Sequence, residues 1–338
     1  MSGAPLRLND LLSRAVPAPG VLTDAHGRVK RKLRISLTDR CNFRCRYCMP
    51  ERPQWLPRDK LLTRVELLAV ARVFVAELGI TQIRLTGGEP LLRRDLPQIV
   101  ADLQSLRPLG LERVSLTTNG ALLEHRIGAL RDAGLDDLNV SLDARTPEVF
   151  KALTGADVEP VLRGIEAARG LPLKLNTVVI RGYNDQEILP LARWAHEEHL
   201  ELRFIEFMPL DGRGFWSRDK VVTERDILDT LAPYFSIEAL ARDASPATRY
   251  RMGAGSFGVI STVSNPFCAS CDRVRLTATG ELYACLFSAR GADLAGALRG
   301  DAPTLASRIR AAVWNKEAGY VAQPGYAPRP ITMHRLGG

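Results

Sequence analysis

The chain has 338 residues, 46% hydrophobic and 25% charged, a balance that excludes a disordered or fibrous protein and allows one or two globular domains. No apolar run approaches the roughly 18 residues of a membrane span, and MSGAPLRLNDLLSRAVPAPG lacks the apolar core of a secretory signal, so a cytoplasmic protein is expected. The net charge of +8 rests on Arg, with only seven Lys; no long basic run and no helix-turn-helix or RNP pattern supports nucleic acid, which leaves compositional bias or an anionic small ligand.

Residues 1–30 read as an N-terminal arm. From 31 to 235, strand and helix patterns alternate. The strands are LRISL (33–37), TQIRLT (81–86), LERVSLTT (111–118), DLNVSLD (137–143), LKLNTVVI (173–180) and ELRFIEFM (201–208). Between the first two, TRVELLAVARVFVAELG carries Thr63 as N-cap, Glu66 completing a capping box, and Gly79 as a stop. TPEVFKAL places Pro147 at a first helical position, and Pro190 predicts a kink in the helix after Asn184. Six βα units in series imply parallel strands with right-handed crossovers.

Side chains alternate along a strand, and each strand has one polar face: Arg34, Ser36 and Thr38; Arg84 and Thr86; Ser115, Thr117 and Asn119; Asn139, Ser141 and Asp143; Lys174 and Asn176; Glu206 and Met208. A doubly covered parallel sheet is apolar on both faces, and a closed barrel packs its interior with branched apolar residues. A polar inner face on all six predicts a partial, open, TIM-like (βα)6 barrel whose lumen takes a polar ligand. From 236 to 338 the pattern changes to short strands (TRYRMG, FGVIST, RVRLTA, LYACLF), a hairpin turn at TATGEL, two helices and a Pro-rich tail. This region reads as an appendage. Within it, GAGSFG (253–258) precedes a strand rather than a helix, which excludes a dinucleotide loop. The five histidines show no ligand spacing.

The cysteines are the most informative residues. Six fall as two triplets, Cys41, Cys45 and Cys48, then Cys268, Cys271 and Cys285. Clustering without a signal points to metal in a reducing compartment rather than disulfides. Structural zinc wants four ligands, and neither triplet has a fourth nearby. Iron–sulfur clusters take thiolates, and three on a loop hold three irons of a cubane while leaving the fourth open. The first loop follows the first strand, at the end where barrels keep their chemistry. Arg273 and Arg275 share a strand face beside the second triplet, which suits an anionic ligand at an open iron.

C-x₃-C-x-Y-C, with Tyr47, followed some forty residues later by TGGEP (86–90), resembles the radical S-adenosylmethionine (SAM) enzymes. Both triplets, NPFC-x-x-CDRVRL and a Gly337–Gly338 ending resemble, from about residue 30 onward, the GTP 3′,8-cyclase family of molybdenum cofactor biosynthesis. The resemblance implies two [4Fe–4S] clusters and SAM as cofactors and GTP as substrate. It implies a 5′-deoxyadenosyl radical that abstracts the 3′ hydrogen before the ribose closes onto guanine C8. SAM would lie by Cys41, Cys45, Cys48, Tyr47, Gly88, Ser141 and Met208. GTP would touch Arg34, Arg84, Thr117, Lys174, Arg273 and Arg275, its guanine near the second cluster. The Gly337–Gly338 tail would reach into the active site. A homodimer, a downstream pterin synthase and an unidentified electron donor are implied as partners. Asp143 and Glu206 are carboxylates on the lumen face, and the sequence assigns neither as general acid or base rather than as the orienter of a basic neighbour. The alternatives are a peptide-modifying radical SAM enzyme and, further off, a zinc-stabilised nucleic-acid-binding protein.

Overall fold

A computed structural model describes residues 20–210, 214–242, 245–288, 290–298, 303–319 and 332–337. Twelve strands form one sheet. In chain order they are β1 (Lys32–Ser36), β2 (Gln82–Thr86), β3 (Arg113–Thr118), β4 (Asp137–Ser141), β5 (Leu173–Val179), β6 (Glu201–Glu206), β7 (Ile237–Ala239), β8 (Thr248–Met252), β9 (Gly255–Ile260), β10 (Arg273–Leu276), β11 (Glu281–Tyr283) and β12 (Ala292–Asp293). Their spatial order is β12-β11-β10-β1-β2-β3-β4-β5-β6-β9-β8-β7. The neighbours from β10 through β9 are parallel, and the outer pairs are antiparallel. The two ends of the order do not pair with each other, so the barrel is open.

The parallel core therefore gains two strands from the C-terminal region. β10 pairs with β1, and β9 with β6. Residues 236–338 are thus not simply appended; they satisfy the edge backbone groups that six strands alone would leave open. RVRL and FGVIST read as strands of an appendage because pairing with a distant segment, Lys32 with Arg273 or Leu202 with Phe257, leaves no local trace.

The outer face is apolar. Helix Arg64–Ala76 starts on the full capping box of Thr63 and Glu66 and buries Leu67, Leu68, Val70, Phe74 and Val75. Each such side chain contributes about 1.5–3 kcal/mol. Helix Pro147–Thr154 carries Pro147 at its first position. The Pro190 helix starts only at Ile188, so the proline sits in the first turn, where its missing N–H costs nothing, and the expected break is instead a 3₁₀ turn at Asp185–Glu187. Gly253 turns the β8–β9 hairpin.

The N-terminal arm is only partly as expected. Residues 1–19 lie outside the described residues, but 20–30 pack into the body. Leu22, Asp24 and Lys30 are almost fully buried, and Thr23 bridges to Val29.

Strand β6 corrects the parity read from sequence. Its half-buried residues are Glu201, Arg203 and Ile205, while Leu202, Phe204 and Glu206 are buried on the opposite side. Register confirms this, since Arg203 pairs with lumen-facing Asn176.

Candidate active site between two cysteine triads

The first triad sits on the loop after β1. That loop hangs from the end of helix Pro147–Thr154, with Arg44 N donating to Thr154 O at 2.8 Å and Arg46 N to Leu153 O at 3.0 Å. Phe43 anchors it, edge-on to Phe150 at 5.9 Å. Tyr47 donates to Asp143 Oδ2 at 2.6 Å, and Asp143 Oδ1 accepts from Val178 N at 2.9 Å. Asp143 therefore orients its neighbours, and burial raises its carboxyl to about 6. Cys41 Sγ receives Phe43 N at 3.4 Å and Asn119 Nδ2 at 3.7 Å. Burial and the nearby Glu89 raise the Cys41 thiol to about 11, and burial likewise holds the Cys45 thiol well above its ordinary value.

TGGEP is zipped to this loop by backbone. Gly88 N donates to Thr38 O and Glu89 N to Arg40 O, both at 2.7 Å. The approach admits no side chain: a Cβ on Gly88 would lie 2.3 Å from Arg40 O, and one on Gly87, at φ +152°, 2.6 Å from Thr38 O. Glu89 is fully buried and accepts from Leu91 N, Thr118 Oγ1 and Asn119 N. Its carboxyl is pushed up to about 7 by burial.

The second triad comes from the turn Cys268–Ser270, from Cys271 and, after β11, from Cys285. Arg273 stacks on Phe267 at 4.4 Å and reaches Cys271 Sγ at 3.8 Å. Lys316 Nζ lies 3.3 Å from the same sulfur. Burial alone would raise the Cys271 thiol, but the Arg273 and Lys316 charges outweigh it and bring it to about 6.

All six cysteines are free thiols, and all line one cavity in the lumen, together with Arg34, Thr117, Ser141, Arg203, Met208, Arg273 and Arg275. Arg34 and Arg275 form no ion pair with a carboxylate among the described residues. Burial, with the Arg275, Arg84 and Arg273 charges, drives Arg34 well below its usual range. Burial and Arg273 lower Arg275 to about 10. Thr117 Oγ1 and Asn176 Oδ1 are buried without a hydrogen-bond partner. Uncompensated guanidiniums and orphaned polar atoms on one surface fit an anionic, hydrogen-bonding ligand. Among the described residues, no three Cys, His, Asp or Glu side chains converge on one metal-ion position.

Most residues expected from the sequence meet here, including Tyr47 and Gly88. Arg84 and Lys174 do not line the cavity. Arg84 is paired with Asp137 at 3.0 Å and Lys174 with Glu201 at 2.5 Å. Lys174 lies at the start of β5, in register with Glu201. Glu206 does not act as a free lumen carboxylate; it accepts from Glu224 N, Val263 N and Ser264 N, fastening the loop after β9. Arg203 is the cation the sequence reading missed; the alternation of Leu202 and Phe204 around it was the available signal. The final helix, Met333–Leu336, brings Met333 to the cavity lining, with Trp55 edge-on to His334 at 6.3 Å. Gly337 follows, its carbonyl accepting from Arg275 Nη1 at 2.7 Å. Gly338 lies outside the described residues.

Comparison with known proteins agrees with this layout. The Radical SAM superfamily profile matches residues 35–195, and that of Molybdenum Cofactor Synthesis C matches 200–322. The GTP 3′,8-cyclase of Streptomyces coelicolor is 46% identical, over 97% of this chain and 100% of the relative. That of Corynebacterium glutamicum is 43% identical, over 95% and 91%. Among solved structures, Streptococcus suis SuiB bound to precursor peptide SuiA shares the fold with a TM-score of 0.55 at 15% identity, covering 84% of this chain and 68% of that one. Two free-thiol triads facing one cationic lumen, on a chain matched nearly end to end by these cyclases, give the assignment: the chain belongs to the GTP 3′,8-cyclase family of radical SAM enzymes, which work with SAM and two [4Fe–4S] clusters in molybdenum cofactor biosynthesis.

Proposed function

We propose that Cys41, Cys45 and Cys48 hold the SAM-binding cluster and that Cys268, Cys271 and Cys285 hold the second, with GTP in the lumen between them. When bound, the first cluster and SAM supply the radical that opens the reaction. The chain's own residues position, neutralise and exclude water. Tyr47, fixed by Asp143, and Gly88, Ser141 and Met208 form the SAM side. Arg34, Thr117, Arg203, Arg273 and Arg275 form the GTP side, where planar guanidiniums match phosphate oxygens and purine acceptors. Arg84 and Lys174 act from beneath, holding Asp137 and Glu201 in place, and reach the triphosphate only by exchanging those partners. Gly337, held by Arg275 and pressed on Thr86, brings the tail to the reacting ribose.

The observation carrying this reading is a pair of guanidiniums, half-buried Arg34 and buried Arg275, that meet no carboxylate among the described residues and stand between two thiol triads. The free thiols favour a reducing cytoplasm, and no helix among the described residues is long and apolar enough to cross a membrane. A second copy of the chain, an electron donor and a downstream pterin synthase complete the proposed partners.

The test is anaerobic turnover of protein reconstituted with iron and sulfide, with SAM and reductant, against GTP, ATP or no nucleotide. Rapid 5′-deoxyadenosine with GTP alone, plus a product of GTP's mass, is the expected result. Equal slow release in all three arms would refute GTP as the lumen's ligand.

A further inference from the structure

Lys316 is one of seven lysines in the chain and is only 5% exposed. Its ammonium approaches Cys271 Sγ at 3.3 Å and Arg273 O at 3.4 Å, its acceptors among the described residues. No carboxylate pairs with it there. Unlike Arg273 and Arg275, it does not line the cavity, so its charge faces the back of the second triad rather than the substrate space.

The position is built, not incidental. Arg28 donates to Cys268 O at 2.9 Å and to Glu317 O and Ala318 O at 2.8 and 2.6 Å, tying the segment after Lys316 to the triad. Lys30 donates to Cys271 O at 2.7 Å. Asp24 holds both cations, at 2.6 Å from Arg28 and 2.7 Å from Lys30. Gly319 closes the packing, where a Cβ would lie 2.9 Å from Cys268 Cβ. A buried ammonium without a carboxylate is stable only beside another negative charge. A three-thiolate [4Fe–4S] cluster supplies one. Hydrogen bonds to cluster sulfurs and nearby positive charge stabilise the reduced form, which carries one more electron.

We propose that Lys316 is a positioning residue of the second cluster: it donates an N–H···S hydrogen bond to Cys271 from the side away from substrate and raises that cluster's reduction potential. The inference rests on the assignment of Cys268, Cys271 and Cys285 as cluster ligands. The test uses full-length protein in which Cys41→Ser, Cys45→Ser and Cys48→Ser leave only the second cluster, titrated electrochemically and followed by electron paramagnetic resonance. Lys316→Met is expected to keep its iron yet lose about tenfold in the reduced-to-oxidised ratio at fixed potential, a fall of about 59 mV for a one-electron couple. Lys316→Arg, which keeps charge and donor, is expected to restore most of it. Equal potentials in Lys316→Met and the parent, at equal iron content, would overturn the proposal. Should Lys316→Met hold no iron, Lys316→Gln decides: a lowered potential supports the role of charge and an unchanged one overturns it. If the triple serine protein itself takes up no iron, the ligand assignment fails, and this inference with it.

Discussion

Gly88→Ala probes the contact on which the first site depends. The strand-end loops after β1 and β2 are zipped together by backbone hydrogen bonds. An alanine Cβ would stand 2.3 Å from Arg40 O, 2.6 Å from Arg40 C and 2.6 Å from Asp39 O. These are carbonyl groups, not flexible side-chain ends. The loops must part by about 1 Å to reach ordinary carbon–oxygen contact. That motion breaks or stretches the Gly88–Thr38 and Glu89–Arg40 hydrogen bonds, each 2.7 Å, and shifts the residues beside Cys41. Overpacking of this kind costs about 1–3 kcal/mol in stability. A displacement of about 1 Å next to the chemistry lowers turnover about 100-fold. The assay is 5′-deoxyadenosine formation with saturating SAM and GTP, alongside the thermal midpoint and iron content. A Gly88→Ala protein with wild-type turnover and an unchanged midpoint would refute the reasoning, because it would mean that the loops do not need this closeness.

Asp24→Asn leaves Arg28 and Lys30 buried without their shared carboxylate. A loss of about 3–5 kcal/mol is expected, read from urea denaturation, together with weaker iron retention by the second triad; a loss well under 1 kcal/mol would contradict the network's role. Glu89 titrates near 4.5 in the unfolded chain and at about 7 in the fold, because burial disfavours its charge. The native state therefore holds more protons between these values, and stability falls as pH rises through that window, by about 3 kcal/mol in all. Thermal midpoints of the apo protein from pH 4.5 to 7.5 read this slope, and Glu89→Gln is expected to flatten it. Gly337→Ala adds a Cβ 2.3 Å from Thr86 Cγ2 at a φ of +76°. The left-handed conformation alone costs about 1–2 kcal/mol, so about tenfold fewer tails are seated. Cyclised product should fall accordingly while the thermal midpoint holds, and unchanged product formation would remove the tail from the mechanism.

The signals legible in the chain were local. Cysteine spacing, TGGEP, the Thr63–Glu66 capping box and the period-2 polar faces each depend on neighbours within a few residues, so they survive as pattern. They were enough to give the barrel, the two triads and most of the lumen. Tertiary structure alone decided three things. β9 and β10 complete the parallel sheet, because an edge strand's need for a partner says nothing of which distant segment meets it. Residues 20–30 are a brace packed on the body rather than an arm, because Asp24 buries Arg28 and Lys30 beside it, a grouping the linear order of the chain does not display. Arg203 shares the lumen face with Asn176 while the Glu206 carboxylate is taken up by the loop after β9, because one residue of register inverts a strand's two faces. Chemistry carried by adjacent residues was legible in the chain. Partners brought together from distant segments, such as Lys316 and Cys271 or Arg28 and Cys268, were fixed only by the packing that joins them.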